Sequence, residues 1–405
     1  MTNATSPDLF PNQLLSRPLT LPNGTVLKNR LMKSAMSDSL GDGKGNATET
    51  QIRLYERWAE GGVALSIIGE VQVDSRFPEK PGNLVLGPGA DLTKLRELTR
   101  RGSMEGAHIW PQLGHAGALA CRSISQPKGP SELNLAGLQC EVMTLKEVQQ
   151  LPEIYANSAQ LAKEVGFTGL QIHAGHGFLL SQFLSPLFNH RSDCYGGAIA
   201  ARCRIIVEII DHVRQAVGPA YPIGIKINSS DQLEGGLTEE DALEAIRILD
   251  QTSIDLIEIS GGTYFPGAKA SSDRSTSGAY FVDFTQRVKA ITQIPIVATG
   301  GFKSRTEAIH SLSCNAVDMV GIARAMVLNP SLPNDWLSGK NTDPEFPRFS
   351  ATVPGGITAW YTMRLTALGN DSEEGFMLDQ ESAIQRYEAR DNKRGVLWQK
   401  RFTGI

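Results

Sequence analysis

Eight short runs of β-type composition recur along the chain, each followed by a helix or a helix-sized gap, and this rhythm limits the fold more than any other feature. The runs are Arg30–Met36, Val63–Gly69, Ala107–Leu113, Gly169–His173, Pro222–Asn228, Asp255–Ser260, Pro295–Thr299 and Val317–Gly321. Between them lie amphipathic stretches: Thr50–Glu60, Leu92–Met104, Leu145–Val165, Ala198–Val217, Glu239–Gln251, Phe284–Thr292 and Arg305–Leu312. Strand–helix alternation implies a parallel sheet. Eight units point to an α/β fold of the closed (β/α)8 TIM-barrel type, with a doubly wound open sheet as the alternative on counting alone. No dinucleotide fingerprint supports the open sheet. The nearest string, Gly41 to Gly45, follows a polar loop and lacks the strand–turn–helix setting.

At 405 residues the chain has room for two to three domains or one large barrel with additions. The second reading divides it into an N-terminal segment (1–28), a barrel (29–331) and a C-terminal extension (332–405) packed on the barrel or on a partner in a homodimer. Asn23-Gly24 marks a two-residue hairpin in the first part. In the extension, Ile357–Leu368 reads as a helix and a charged tail follows to about Trp398. With 41% hydrophobic residues, 20% charged residues and net charge −4, the chain is globular, with no basic excess for nucleic acid. No apolar run approaches the ~18 residues of a membrane span. Met1–Pro11 lacks the pattern of a secretory signal, and the five cysteines form no CxxC, so a reduced cytoplasmic setting is expected.

Side-chain alternation assigns the strand faces. Ile223, Ile225 and Ile227 face the helices, which turns Gly224, Lys226 and Asn228 into the barrel. By the same parity Gln171, His173, Glu258 and Ser260 point inward. A buried lysine and glutamate are costly unless paired or used. Lys226 and Glu258 are thus a structural ion pair, or a cation held for a ligand at the end where barrel sites form.

Three strings carry chemistry: Gln112–Gly117, Ile172–Gly197, and the pair Ala298–Gly301 with Val320–Arg324. Glycine turns after strands seven and eight are the usual phosphate cradle of such barrels, and Arg324 adds a charge-assisted bond. His173 and His176, with His190 or Cys194, are conceivable metal ligands. The strand ends show neither a carboxylate nor an HxH pair, so no metal is expected. Neutral imidazoles there would instead donate hydrogen bonds to a carbonyl.

Together these strings resemble the Old Yellow Enzyme family, FMN-dependent NADH:flavin oxidoreductases and ene-reductases, over about Leu14 to Pro330. The run IHAGHGFLLSQFLSPLFNHRSDCYGG carries most of the resemblance, with Arg202 following. ITAWYTMRLTAL resembles the tail of one subgroup. The resemblance implies the closed barrel, FMN as cofactor and NADPH or NADH as reductant. It implies flavin contacts from Ser34, Ala35, Met36 and Ser37, with Ser37 where a Thr or Cys usually tunes the potential. Gly69 and Glu70 match a second-strand contact, Gln112 the side chain on the flavin pyrimidine, and Lys226 the cation near flavin N1. Gly300, Gly301, Gly321 and Arg324 match the phosphate site, and His173 and His176 the pair gripping the substrate oxygen.

Departures from the family pattern bear on the reaction. Phe178 stands where the proton-donating tyrosine is usual, and a phenyl ring donates no proton. Water, Tyr264 or another group takes that role, or the chemistry differs. Gly114 stands where many members carry a tryptophan, Ala35 where a proline is common, and Ala118 where an arginine is common. The leading expectation is reduction of an α,β-unsaturated carbonyl compound of bulky shape. A redox-neutral isomerase or cyclase, a flavin-free ligand-binding barrel and a metallohydrolase are the alternatives.

Overall fold

The computed structural model describes residues 13–265, 268, 278–340, 342–349 and 353–404. The leader reading of Met1–Pro11 falls outside them.

Eight parallel strands close into a ring: β1 (Leu31–Lys33), β2 (Leu65–Gln72), β3 (His108–Gly114), β4 (Leu170–Ala174), β5 (Ile223–Asn228), β6 (Leu256–Ser260), β7 (Ile296–Thr299) and β8 (Met319–Ile322). Each pairs with the next in chain order, and β8 returns to pair with β1. All eight expected runs are strands, and the ring is closed. Helices pack outside it, several with side-chain caps. Thr144 and Glu147 form a capping box on Leu145–Glu164, and Ser304 and Glu307 another on Arg305–Ser313.

Parity along the strands sorts the barrel's contents. Ile223, Ile225, Ile227, Ile257 and Ile259 join the outer core under the helices. Met32, Leu65, Ile67, Trp110, Leu256, Val297 and Met319 form a separate apolar floor inside the ring. Gly169 and Gly224 make room for the Trp110 ring, since a Cβ on either would meet its atoms at 2.4 and 3.1 Å. One step of two residues further up each strand, the inward side chains become Ser34, Gln112, Gln171, Lys226, Glu258 and Thr299.

One expectation needs correction, the length of the hairpin connection, while the C-terminal extension is helical as the fold class implied. The hairpin exists, with Leu19–Thr20 paired antiparallel to Val26–Leu27, but its connection is longer than two residues. Leu21 N–H donates to Thr25 O, and Gly24 takes φ 89° inside that loop. The charged tail is a helix, Gln380–Phe402, capped by Asp379. Its Trp398 is buried and donates Nε1–H to Ser75 O at 3.2 Å, while Arg394 donates to Ser39 O at 2.5 Å. The helix Gly356–Gly369 lies between this helix and Glu49–Glu60.

Candidate active site

A hydrogen-bonded file crosses the barrel just above the floor. Gln112 Nε2 donates to Gln171 Oε1 and Gln171 Nε2 to Glu258 Oε2, both at 2.7 Å. Lys226 Nζ lies 3.0 Å from Glu258 Oε1, with the two side chains 2% and 0% exposed. Burial raises the Glu258 carboxyl, but Lys226 and the bonds from Thr299 and Gln171 outweigh it and hold the group below the ordinary range. The ion pair is therefore real, and it leaves Lys226 at the base of the mouth.

His173 stands one step above Gln171 on β4. Gly175 N–H donates to its Nδ1 at 3.2 Å, which places the ring proton on Nε2. That Nε2 lies 3.2 Å from Glu70 Oε1. The expectation of no carboxylate at the strand ends is thus corrected. A register shift between Ile68 and Val71 interrupts the parity of β2 there, and Glu70 adopts φ 57°. His176 is left-handed as well, at φ 59°. Its N–H donates to Asn228 Oδ1 at 3.0 Å, and its Nε2 is 2.9 Å from Ser260 Oγ. Burial, then the nearby Lys226 and His173, push its pKa well down, so the imidazole is neutral.

Four rings gather over this layer. The His173 and His176 centroids are 5.2 Å apart, and Phe178 is 5.1 Å from His173. Tyr264, 61% exposed, lies 5.9 Å from His176 and 5.8 Å from Phe178. All four catalytic candidates are therefore brought together.

The loop after β1 closes one side. Ser34 Oγ and Thr299 Oγ1 are 2.7 Å apart, and Ala35 packs on the floor. Ser37 bridges Gly69 on the neighbouring chain segment. Only glycine fits at 69, because a Cβ would sit 2.2 Å from the Met36 carbonyl oxygen. Ser37 Oγ donates to Glu79 Oε2 at 2.8 Å. Burial and the charge of Glu70 push the Glu79 carboxyl up to about 7. Sequence reasoning did not find Glu79, which lies in a loop without a motif, nor the roles of Asn228 and Ser260, although parity turned both inward.

Gly300 and Gly301 take φ 137° and 86°, and the Gly301 turn backs onto the Gly278 carbonyl. Gly321 packs between Thr299 and Ser34. Beside these turns is a cavity of about 140 Å³ whose lining includes Tyr280, Lys303, Arg324, Phe346 and Tyr361. Lys303 and Arg324 form no ion pair among the described residues; the Arg324 guanidinium sits 5.9 Å from the Tyr361 ring centroid and Lys303 Nζ 5.7 Å from that of Phe346. Two uncompensated cations at turns after β7 and β8 fit a phosphate. With Lys226 and the Gln112 amide at the opposite end, the donor set fits a flavin mononucleotide. Among the described residues no three His, Cys, Asp or Glu side chains form a metal-holding group, and no helix is long and apolar enough to cross a membrane.

Comparison with known proteins identifies the family. The chain is 33% identical over 352 residues to the NADH-dependent flavin oxidoreductase iliE of Hypocrea jecorina, covering 78% of this chain and 87% of that protein. It is 32% identical to the iliE protein of Neonectria sp., covering 87% of this chain but only half of that relative's length. Among solved structures, 2-naphthoyl-CoA reductase superposes with TM-score 0.77 at 24% identity, over 81% of this chain and 53% of that one. The Old Yellow Enzyme homologue of Zymomonas mobilis gives TM-score 0.70 at 20% identity, over 86% and 98%. The sequence profile of the NADH:flavin oxidoreductase / NADH oxidase family matches residues 14–343, so the chain belongs to that family and is an FMN-dependent oxidoreductase that draws on a nicotinamide reductant.

Proposed function

We propose that the enzyme reduces the C=C bond of a bulky α,β-unsaturated carbonyl compound, with NADH or NADPH as the electron source. The observation that carries this reading is the pair of imidazoles, 5.2 Å apart, over a buried lysine at the end of the barrel where such enzymes work. Bound FMN supplies the two-electron transfer between nicotinamide and substrate. Ser34, Ala35, Met36, Ser37, Gly69 and Glu70 would flank its ring, Gln112 and Lys226 would hold the pyrimidine edge, and Gly300, Gly301, Gly321 and Arg324 would take the phosphate. Lys226 stabilises negative charge at that edge. His173 and His176 donate N–H bonds to the substrate oxygen, which withdraws electrons from the alkene. The space beside Gly114, expected to admit a bulky substrate, is taken by the Glu70 carboxylate, 3.1 Å from where a Cβ would stand. The NADH-dependent relatives support NADH as the reductant.

Phe178 holds no proton to give. The phenolic hydroxyl of Tyr264, whose ring packs against Phe178, serves as donor to the carbon beside the carbonyl. A second reading is favoured by the same residue: without a buried acid beside the histidine pair, the site suits a redox-neutral isomerisation. Product analysis with candidate enones, with and without NADPH, separates the two. Consumption of one NADPH per saturated product supports reduction; product formed with no NADPH consumed supports isomerisation.

A further inference from the structure

Beyond its place beside the flavin ring, Glu70 holds its carboxylate in a specific position. The carboxylate is 5% exposed and lies at the mouth, not in the floor. Its Oε1 is 3.2 Å from His173 Nε2, the atom whose proton is available for a substrate oxygen. Its Oε2 is buried with no hydrogen-bond partner. That oxygen occupies the space left by Gly114, 3.1 Å from where a Cβ would stand. The backbone holds Glu70 in the left-handed region, φ 57°, at the β2 irregularity, a conformation that costs a non-glycine residue roughly 1–3 kcal/mol and persists where surroundings impose it. A buried carboxylate oxygen without a donor is expensive, and a ligand N–H at the mouth would supply one.

We propose that Glu70 selects substrates that carry an N–H on the atom next to the activating carbonyl: unsaturated lactams, cyclic imides and related secondary amides. This rests on the alkene-reductase reading of the same site. The edge of a cis amide presents an acceptor and a donor side by side. His173 Nε2–H and Glu70 present the complementary donor and acceptor, adjacent at 3.2 Å. The carbonyl oxygen takes the Nε2–H, and the amide N–H is given to Oε2. A simple enone satisfies the histidine and leaves Oε2 unpaired. Sites built to hydrogen-bond a substrate N–H or O–H reject analogues lacking it, because the buried partner is stranded.

The test uses the FMN-loaded enzyme and an unreactive matched pair, 2-piperidone and N-methyl-2-piperidone, with binding measured by titration calorimetry. The wild type is expected to bind 2-piperidone about 10- to 100-fold more tightly, the effect of one hydrogen bond to a charged group. Glu70→Gln and Glu70→Ala, each checked for wild-type flavin content, are expected to cut that preference to less than about threefold. Equal binding of the pair by wild type overturns the inference, as does no binding of 2-piperidone at millimolar concentration. So does a preference that survives in both variants. Turnover of 5,6-dihydro-2(1H)-pyridone and of 2-cyclohexen-1-one with NADPH is followed in parallel. A lactam preference without turnover of either alkene overturns the reductase reading and leaves the recognition by Glu70 standing. Turnover of 2-cyclohexen-1-one without the lactam preference overturns the recognition alone.

Discussion

Along β3, β5 and β6 the inward side chains change from Trp110, Gly224 and Leu256 to Gln112, Lys226 and Glu258 within a single step of two residues. Floor and mouth therefore share strands, backbone register and burial, and differ only in side-chain chemistry. The floor is filled by apolar groups that need no partners. The mouth holds charges and amides that are largely satisfied by one another, with Glu70 Oε2 among the buried oxygens left without a hydrogen-bond donor. The contrast teaches that this barrel draws stability from its lower inward layer and keeps the upper one for binding, because a polar layer is tolerated only when its members are mutually paired.

Breaking the mouth's ion pair is expected to have the largest effect. Lys226→Met leaves Glu258 buried without its cation and should cost about 3–5 kcal/mol of stability. It should also lower the flavin midpoint potential, since the fixed positive charge is gone. An unchanged potential in a folded variant refutes the role given to Lys226. On the floor of β6, Leu256→Ala should cost about 2–5 kcal/mol by cavity formation. The potential and the spectrum of the bound flavin should stay as in wild type. If denaturant melts show the cost but the potential also moves, the two layers are not separable.

Phe178→Tyr sharpens the comparison within the mouth. Supplying a hydroxyl beside His173 should raise NADPH-dependent reduction of 2-cyclohexen-1-one about tenfold or more. An unchanged rate and product mean that Tyr264 or another donor already suffices.

Glu79→Gln should have the smallest effect, visible only as a pH slope. The folded carboxyl is pushed from 4.5 to about 7, so between these values the native state binds the extra proton. Its contribution to stability is whole below 4.5 and is lost as pH rises through about 7. The decline in melting temperature from about pH 5 to 8 should therefore be shallower in the variant. Parallel declines contradict the assignment.

The sequence made the eight strands legible because short β-type runs alternate with amphipathic stretches, and period-two alternation in β4, β5 and β6 turned Gln171, His173, Lys226 and Glu258 inward. The C-terminal helix Gln380–Phe402 was hidden by its charged composition, since Trp398 is its large buried anchor and a single anchor makes no periodic pattern. Glu70 was beyond parity reasoning: the irregularity between Ile68 and Val71 resets the faces of β2, so its side chain could not be aimed from spacing. Glu79 and Ser37 meet across a loop connection, 42 residues apart, which no local pattern encodes. The hairpin's length was misjudged because Asn23-Gly24 also suits a longer loop in which only the glycine needs φ > 0.

In the proposed alkene reduction, His173 and His176 hold the substrate oxygen at the mouth. The direct test is a single turnover: the holoenzyme is bleached anaerobically with one equivalent of NADH or NADPH, 2-cyclohexen-1-one is added, and flavin absorbance is followed. The wild type should regain its yellow colour with one equivalent of cyclohexanone formed, and His173→Ala/His176→Ala should do so about 100-fold more slowly or worse. A wild type that stays bleached, or a double variant that recovers at the wild-type rate, would contradict it.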